Sequence, residues 1–177
     1  LITKADLVCQ ELLLNGEIDC SFQVGLVTDS NLQSTLLHQE PIYAWISQKH
    51  PVSRKKHISL EDLITQPLIM VDNQYSYHKL LNQWYNSKGL TYNIKYMTND
   101  ILTIYYLAAQ NEVIALHPRY WQNFLVKDDS LVDLPVTDID YSTWQVNLCR
   151  LNQPLTNVYE KLFIEFMINY YVSSLNK

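Results

Sequence analysis

The alternation of strand-like and helix-like segments along almost the whole chain is the feature that most limits how it can fold. Apolar side chains recur at helical spacing over residues 5–15, and Gly16 then supplies a natural C-terminal stop. The apolar run at 18–24 has the length of a buried strand. Because the same alternation continues to the last helix, the sequence predicts an α/β fold with mostly parallel sheets flanked by helices.

The later segments repeat this pattern. The predicted strands are 40–47, 68–71, 93–97, 113–116 and 144–151. The predicted helices run from 59 to 64, from 76 to 88, from 99 or 100 to about 110, around 120–125, and from 156 or 157 onward. Their expected N-caps are Ser59, Ser76 and either Asn99 or Asp100, since short polar side chains accept hydrogen bonds from free helix amides.

Charge and glycine content exclude two classes of function. The net charge is -5, and the one basic run, Arg54-Lys55-Lys56-His57, is short. A footprint on duplex DNA needs clustered lysine and arginine, so we predict that this segment does not bind DNA by itself. Only Gly16, Gly25 and Gly89 occur, and no two are close enough to build a phosphate-binding loop.

Cysteine and histidine spacing argues against catalysis and metal binding. Cys9, Cys20 and Cys149 form no CxxC pair, which is typical of reduced thiols in a cytoplasmic protein. The five histidines show no metal-ligand spacing. We therefore expect no enzyme activity, no metal and no cofactor. No apolar run is long enough to cross a bilayer, so we expect no membrane contact.

Several landmarks stand in a recognisable order. They are Leu12-x3-Gly16-Glu17-Ile18-Asp19, residues 40–47 running into His50-Pro51, the run 58–63, Pro67-Leu68-Ile69, the segment 113–116 followed by Pro118, and Leu131-Val132-x-Leu134-Pro135. Together they make essentially all of the chain resemble the effector-binding domain of LysR-type transcriptional regulators. One departure concerns two glycines usual in the family, which correspond to Asn111 and Val113 here. Asn tolerates the left-handed conformation that the first position needs.

The resemblance implies a type 2 periplasmic-binding-protein-like fold of two lobes. Lobe one would comprise 1–46 and 143–177, and lobe two 47–142, with strands 40–47 and 144–151 as the hinge. In such regulators an N-terminal winged helix-turn-helix, which is not part of this sequence, binds DNA. The family's effector domain also opens with a strand and a helix upstream of this sequence, so we expect lobe one to lack them here.

A ligand site is expected where strands of an open α/β sheet end and helices begin, because free amides there favour polar ligand groups. The predicted effector-binding residues, lining a cleft between the lobes, are Gln23, Val24, Asn73, Tyr75, Ser76, Thr98, Asn99, His117 and Pro118. Simple capping is an alternative role for Ser76 and Asn99, and a structural role is the alternative for His117. Asp72 and Asp100 would disfavour a strongly anionic effector unless they point away.

The resemblance implies a cytoplasmic domain that senses a small-molecule effector and forms a homodimer or higher oligomer, with DNA bound only through the winged helix-turn-helix. The predicted dimer surface is the exposed flank of helix 77–88 with strand 93–97, and its partner is helix 5–15. Trp84 and Tyr85 in the first helix would instead face their own core in a monomer. Two alternatives remain open: an extracytoplasmic solute-binding protein of the same fold, and a small cytoplasmic α/β enzyme.

Overall fold

The computed structural model describes residues 1–124, 129–139 and 144–175. Within them the α-helices are α1 (Asp6–Leu14), α2 (Leu60–Leu63), α3 (Ser76–Ser87), α4 (Ile101–Ala109) and α5 (Val158–Leu175). The strands are β1 (Cys20–Val24), β2 (Leu32–Gln39), β3 (Ile42–Ser47), β4 (Pro67–Met70), β5 (Asn93–Met97), β6 (Ile114–Pro118), β7 (Leu131–Pro135) and β8 (Gln145–Leu151). Short 3-10 helices follow β3 at Pro51–Arg54 and β6 at Arg119–Phe124. This order confirms the predicted α/β class.

The chain divides into two compact units. Unit 1 comprises 1–39, 74–76 and 145–177. Its sheet has the order β1-β8-β2, and β8 runs antiparallel to both neighbours. A small core forms around Leu13 of α1, Leu32 of β2 and Cys149 of β8, all buried. The strand β2 was not predicted, because only Leu32 and Leu37 of its eight residues are buried, which leaves no regular alternation.

Unit 2 comprises 40–73 and 77–144 and holds the larger sheet. The strand order is β5-β4-β6-β3-β7, in which β4 runs parallel to β5 and β6 while β3 runs antiparallel to β6 and β7. The helices α3 and α4 each lead into a strand of the parallel part, as crossover connections must. The interior strand β3, between β6 and β7, is almost fully buried, which explains its apolar sequence.

The prediction that most neighbouring strands run parallel was wrong. In the described residues the three-stranded sheet is entirely antiparallel, and in the larger sheet only the pairings of β4 are parallel. The spacing of apolar residues in a segment indicates whether the segment is a helix or a strand and which of its residues are buried. It does not indicate the direction in which a strand enters a sheet, which depends on partners far away in the chain.

The division into units also differs from the predicted lobe boundary at 46/47. Residues 40–46 fall in unit 2, since β3 pairs with β6 and β7. The second predicted boundary, at 142/143, lies outside the described residues. The hinge role of strands 40–47 and 144–151 stays a prediction.

Local capping follows the sequence at several helix ends. Ser59 caps α2 in a reciprocal capping box with Asp62, whose pKa is lowered first by its hydrogen bond from Lys55. Asn111, which follows α4, has a φ of 62°, so it takes the left-handed conformation predicted for it. Ser76 differs from its prediction, because it is the first residue of α3 and not its N-cap.

Candidate functional site

The carboxyl ends of β4 and β5 in unit 2 are joined by a pair of side-chain hydrogen bonds. Because these strands are parallel, their ends lie at one edge of the sheet. The Asn99 amide nitrogen donates to the Asp72 carboxylate (2.6 Å), and the Asp72 backbone N–H donates to the Asn99 side-chain oxygen (3.1 Å). Asn73 and Asn99 are exposed. These contacts create a polar, solvent-facing edge at the position predicted for effector binding.

Asp100 is the N-cap of α4, which decides between the two residues predicted for that role. Its carboxylate accepts hydrogen bonds from the Thr103 hydroxyl, the Thr103 amide (2.9 Å) and the Leu102 amide (3.4 Å). These bonds, those from Thr103 foremost, lower the pKa of Asp100. Thr98 is half-buried, and its hydroxyl accepts from the Asp100 amide (3.3 Å). Asn99 is thus not needed as a cap, and its side chain bonds to Asp72 instead.

His117 lies in the interior of unit 2. Its side chain is fully buried, and its ring stacks on Trp45 with centroids 4.0 Å apart. One ring nitrogen, Nε2, lies 3.0 Å from the Asp133 carboxylate, and the other, Nδ1, lies 2.9 Å from the Pro118 carbonyl oxygen. Pro118 is buried as well. This geometry favours the structural role that was the alternative for His117.

The predicted site residues of unit 1 meet at the carboxylate of Asp6. Its Oδ2 accepts a hydrogen bond from the Val24 amide at the end of β1 (3.2 Å). Its Oδ1 accepts one from the Ser76 amide (2.8 Å). The adjacent Leu7 amide donates to the Gln74 carbonyl (3.3 Å). Asp6 was not among the site residues predicted from the sequence. The available signal was an acidic residue in the first turn of α1. Such a residue is expected to interact with free backbone amides, but the sequence does not indicate which amides these are.

Gln23 is also in unit 1 but points inward. Its side chain is buried in β1, and its amide nitrogen donates to the Ser21 hydroxyl (3.3 Å). Tyr75, next to Ser76, is half-buried. Of the residues predicted in unit 1, Val24, Tyr75 and Ser76 are half-buried and therefore retain some accessible surface.

Two of the three thiols, Cys20 and Cys149, do not have the properties of a nucleophile. Burial raises the pKa of Cys149 to about 12, and burial is also the first cause that raises the pKa of Cys20. A high pKa leaves little thiolate, the reactive form, at neutral pH. Over the ranges that the structure describes, no three histidine, cysteine or acidic side chains are grouped so that they would hold a metal ion. Nor does any helix in those ranges have the length and apolarity of a membrane span.

The chain matches the model of the LysR substrate binding domain over residues 3–171. Comparison with curated protein sequences gives no significant match. Solved structures are similar in fold. The effector binding domain of QuiR in complex with shikimate has a TM-score of 0.81 at 13% identity, over 97% of this chain and 80% of that one.

Two structures of BenM are also similar. The effector binding domain with its effector benzoate has a TM-score of 0.76 at 22% identity, over 98% of this chain and 78% of that one. Full-length BenM has a TM-score of 0.80 at 19% identity, over 99% of this chain and 58% of that one. This chain therefore spans most of an isolated effector binding domain and little more than half of a complete regulator.

Proposed function

This chain belongs to the LysR substrate-binding domain family, and we propose that it is the part of a cytoplasmic LysR-type transcription regulator that senses a small-molecule effector. The family match over 3–171 carries this proposal. The match also favours a regulator over the alternatives of a solute-binding protein or an enzyme. The raised pKa values of Cys20 and Cys149 further disfavour an enzyme that uses either thiol as a nucleophile. We propose that DNA binding by the complete regulator is the role of a winged helix-turn-helix and not of this domain.

The effector is proposed to contact the strand ends described above. In unit 2 the contacting residues are Asn73, Thr98 and Asn99, and in unit 1 they are Val24, Tyr75 and Ser76. Support comes from the exposure of Asn73 and Asn99 and from the partial exposure of Val24, Tyr75 and Ser76 near the Asp6 carboxylate. Gln23, His117 and Pro118 are buried, so we assign them to supporting positions and not to direct contact.

Replacing Asn99 or Tyr75 by alanine is expected to weaken effector binding without unfolding the protein. The loss of one hydrogen bond or ring contact corresponds to about 1 kcal/mol, or roughly a fivefold rise in Kd. The free energy of unfolding is expected to fall by no more than about 1 kcal/mol, since Asp100 caps α4 and the bonds between Asn99 and Asp72 are exposed to solvent. A thermal-shift screen of small metabolites identifies the effector, and isothermal titration then compares the variants.

The matched control is Gln83→Ala, which changes an exposed position of α3 outside the proposed site. If both variants bind the effector as tightly as wild type, the site has been assigned to the wrong residues. If no metabolite stabilises the protein, the sensing function itself fails.

A homodimer is proposed through the edge strand β5 and the flank of α3, with α1 of a second copy as the partner. Tyr96 and Met97 of β5 are 39% and 59% exposed, and β5 is an edge of its sheet. Trp84 and Tyr85 are buried in the core of unit 2, so a Trp84 variant would test folding and not association.

We expect Met97→Arg to raise the dimer dissociation constant at least about tenfold, because a charge would replace an apolar contact. Sedimentation equilibrium at micromolar concentrations measures this change. Tyr106→Arg is the control, since Tyr106 is 63% exposed on α4 and outside the proposed surface. A wild-type protein that is strictly monomeric would contradict the dimer.

A further inference from the structure

The carboxylate of Asp6 binds two backbone amides that come from distant parts of the chain. It accepts from Val24, 18 residues away, and from Ser76, 70 residues away, and all three residues belong to unit 1. Asp6 is half-buried. A carboxylate has about four acceptor positions, and these two bonds therefore leave about two for a further donor.

The two amides are of the kind that would otherwise bind an acidic ligand. The Ser76 amide belongs to the first turn of a helix of 12 residues, where the helix dipole and free N–H groups favour negative charge. Val24 contributes a backbone donor from the end of β1. Both residues are among those proposed to contact the effector. The protein itself thus supplies the negative charge at this position.

Other residues of the proposed site do not offset this charge. The nine residues predicted for effector binding include no lysine and no arginine. The one histidine among them, His117, is buried and bonded to Asp133. An acidic group that approached Val24 and Ser76 would have to displace the Asp6 carboxylate or lie beside a like charge.

We infer that Asp6 determines effector specificity and that the effector presents to it a hydrogen-bond donor, uncharged or cationic, in place of an acid group. This inference rests on the proposed function, since it concerns the chemistry of the same site. Shikimate and benzoate, found with QuiR and BenM, are carboxylates. The group that the effector of this chain presents to Asp6 is an amine, amidine, amide or hydroxyl, and not a carboxylate.

The test uses two small probes of nearly the same shape and opposite charge, acetate and acetamidinium. Both are titrated into the isotopically labelled chain at constant ionic strength, and the amide resonances of Val24 and Ser76 are followed. In the wild type, acetamidinium is expected to give saturable shifts at both amides and acetate none. In Asp6→Asn the preference reverses, with acetate binding at least about tenfold tighter than in wild type.

Asp19→Asn is the matched control, because it removes one exposed negative charge from unit 1 and leaves the two amides untouched. It is expected to behave as wild type. Saturable acetate shifts at Val24 and Ser76 in the wild type, or an Asp6→Asn variant with the wild-type preference, would overturn the inference.

If Asp6→Asn does not fold, the comparison of acetate with acetamidinium in the wild type still tests the role of Asp6. Failure of the proposed function shows itself separately, as a metabolite screen without any stabilising compound. An acidic metabolite that stabilises the wild type through these two amides would leave the sensing function intact and refute only the role of Asp6.

Discussion

Replacement of Trp45 by alanine is expected to lower the free energy of unfolding by about 3–5 kcal/mol. Trp45 is 2% exposed and lies on β3, the strand that pairs with both β6 and β7. Its ring stacks on the ring of His117. It also packs edge to face against Tyr105, and the centroids of the Trp45 and Tyr105 rings are 5.3 Å apart. Truncation leaves a cavity between these rings that the sheet backbone cannot close. Domains of this size have stabilities of about 5–15 kcal/mol, so the loss is a large share of the total.

Urea unfolding followed by far-ultraviolet circular dichroism measures this loss as a fall in the midpoint at an unchanged m-value. Tyr106→Ala is the control, since its side chain is an aromatic of α4 that is 63% exposed, and a change of less than about 0.5 kcal/mol is expected. Trp45→Phe, which keeps an aromatic ring, gives an intermediate result if the alanine variant is too unstable to purify. A loss below about 1 kcal/mol in Trp45→Ala would show that this part of the core is not tightly packed.

The pair formed by His117 and Asp133 is expected to show strong energetic coupling. Asp133→Ala leaves the buried Nε2 of His117 without its partner, at a cost of about 1–3 kcal/mol. In a His117→Phe background the same substitution is expected to cost far less, because no buried ring nitrogen remains to be satisfied. A double-mutant cycle in urea gives the coupling energy, expected at about 1–3 kcal/mol.

Asp129→Ala serves as the control for this cycle, because Asp129 is exposed and precedes β7. Its effect should be the same in the wild-type and His117→Phe backgrounds. Equal costs of Asp133→Ala in the two backgrounds would mean that the hydrogen bond contributes nothing, and would return His117 to the set of available ligand contacts.

Helix caps and helix ends were predicted correctly where they depend on only a few neighbouring residues. Ser59 caps α2 as expected, and Asn111 takes the left-handed conformation after α4. Both depend on side chains and backbone angles within four residues, which the sequence displays directly. The strand β2 escaped prediction because its exposed positions interrupt the alternation, and its partner β8 lies more than 100 residues away.

In the candidate site, too, some features follow from the local sequence and others required the structure. The positions of Asn73, Thr98 and Asn99 after β4 and β5 follow from strand ends that the sequence predicts. The choice of Asp100 over Asn99 as the cap required the structure, because Asn99 is held by Asp72, 27 residues away. Capping preference alone does not separate two adjacent residues that both have short polar side chains.

The sequence by itself determined most of the helices and strands, the α/β class and the resemblance to a family, since periodicity, caps and turns act over a few residues. Only the tertiary structure decided the antiparallel course of β3 and β8, the burial of His117 against Trp45, and the binding of Val24 and Ser76 by Asp6. Each of these joins residues 18 to 130 positions apart. A buried polar or charged group must find a partner, but which partner reaches it depends on how the whole chain packs.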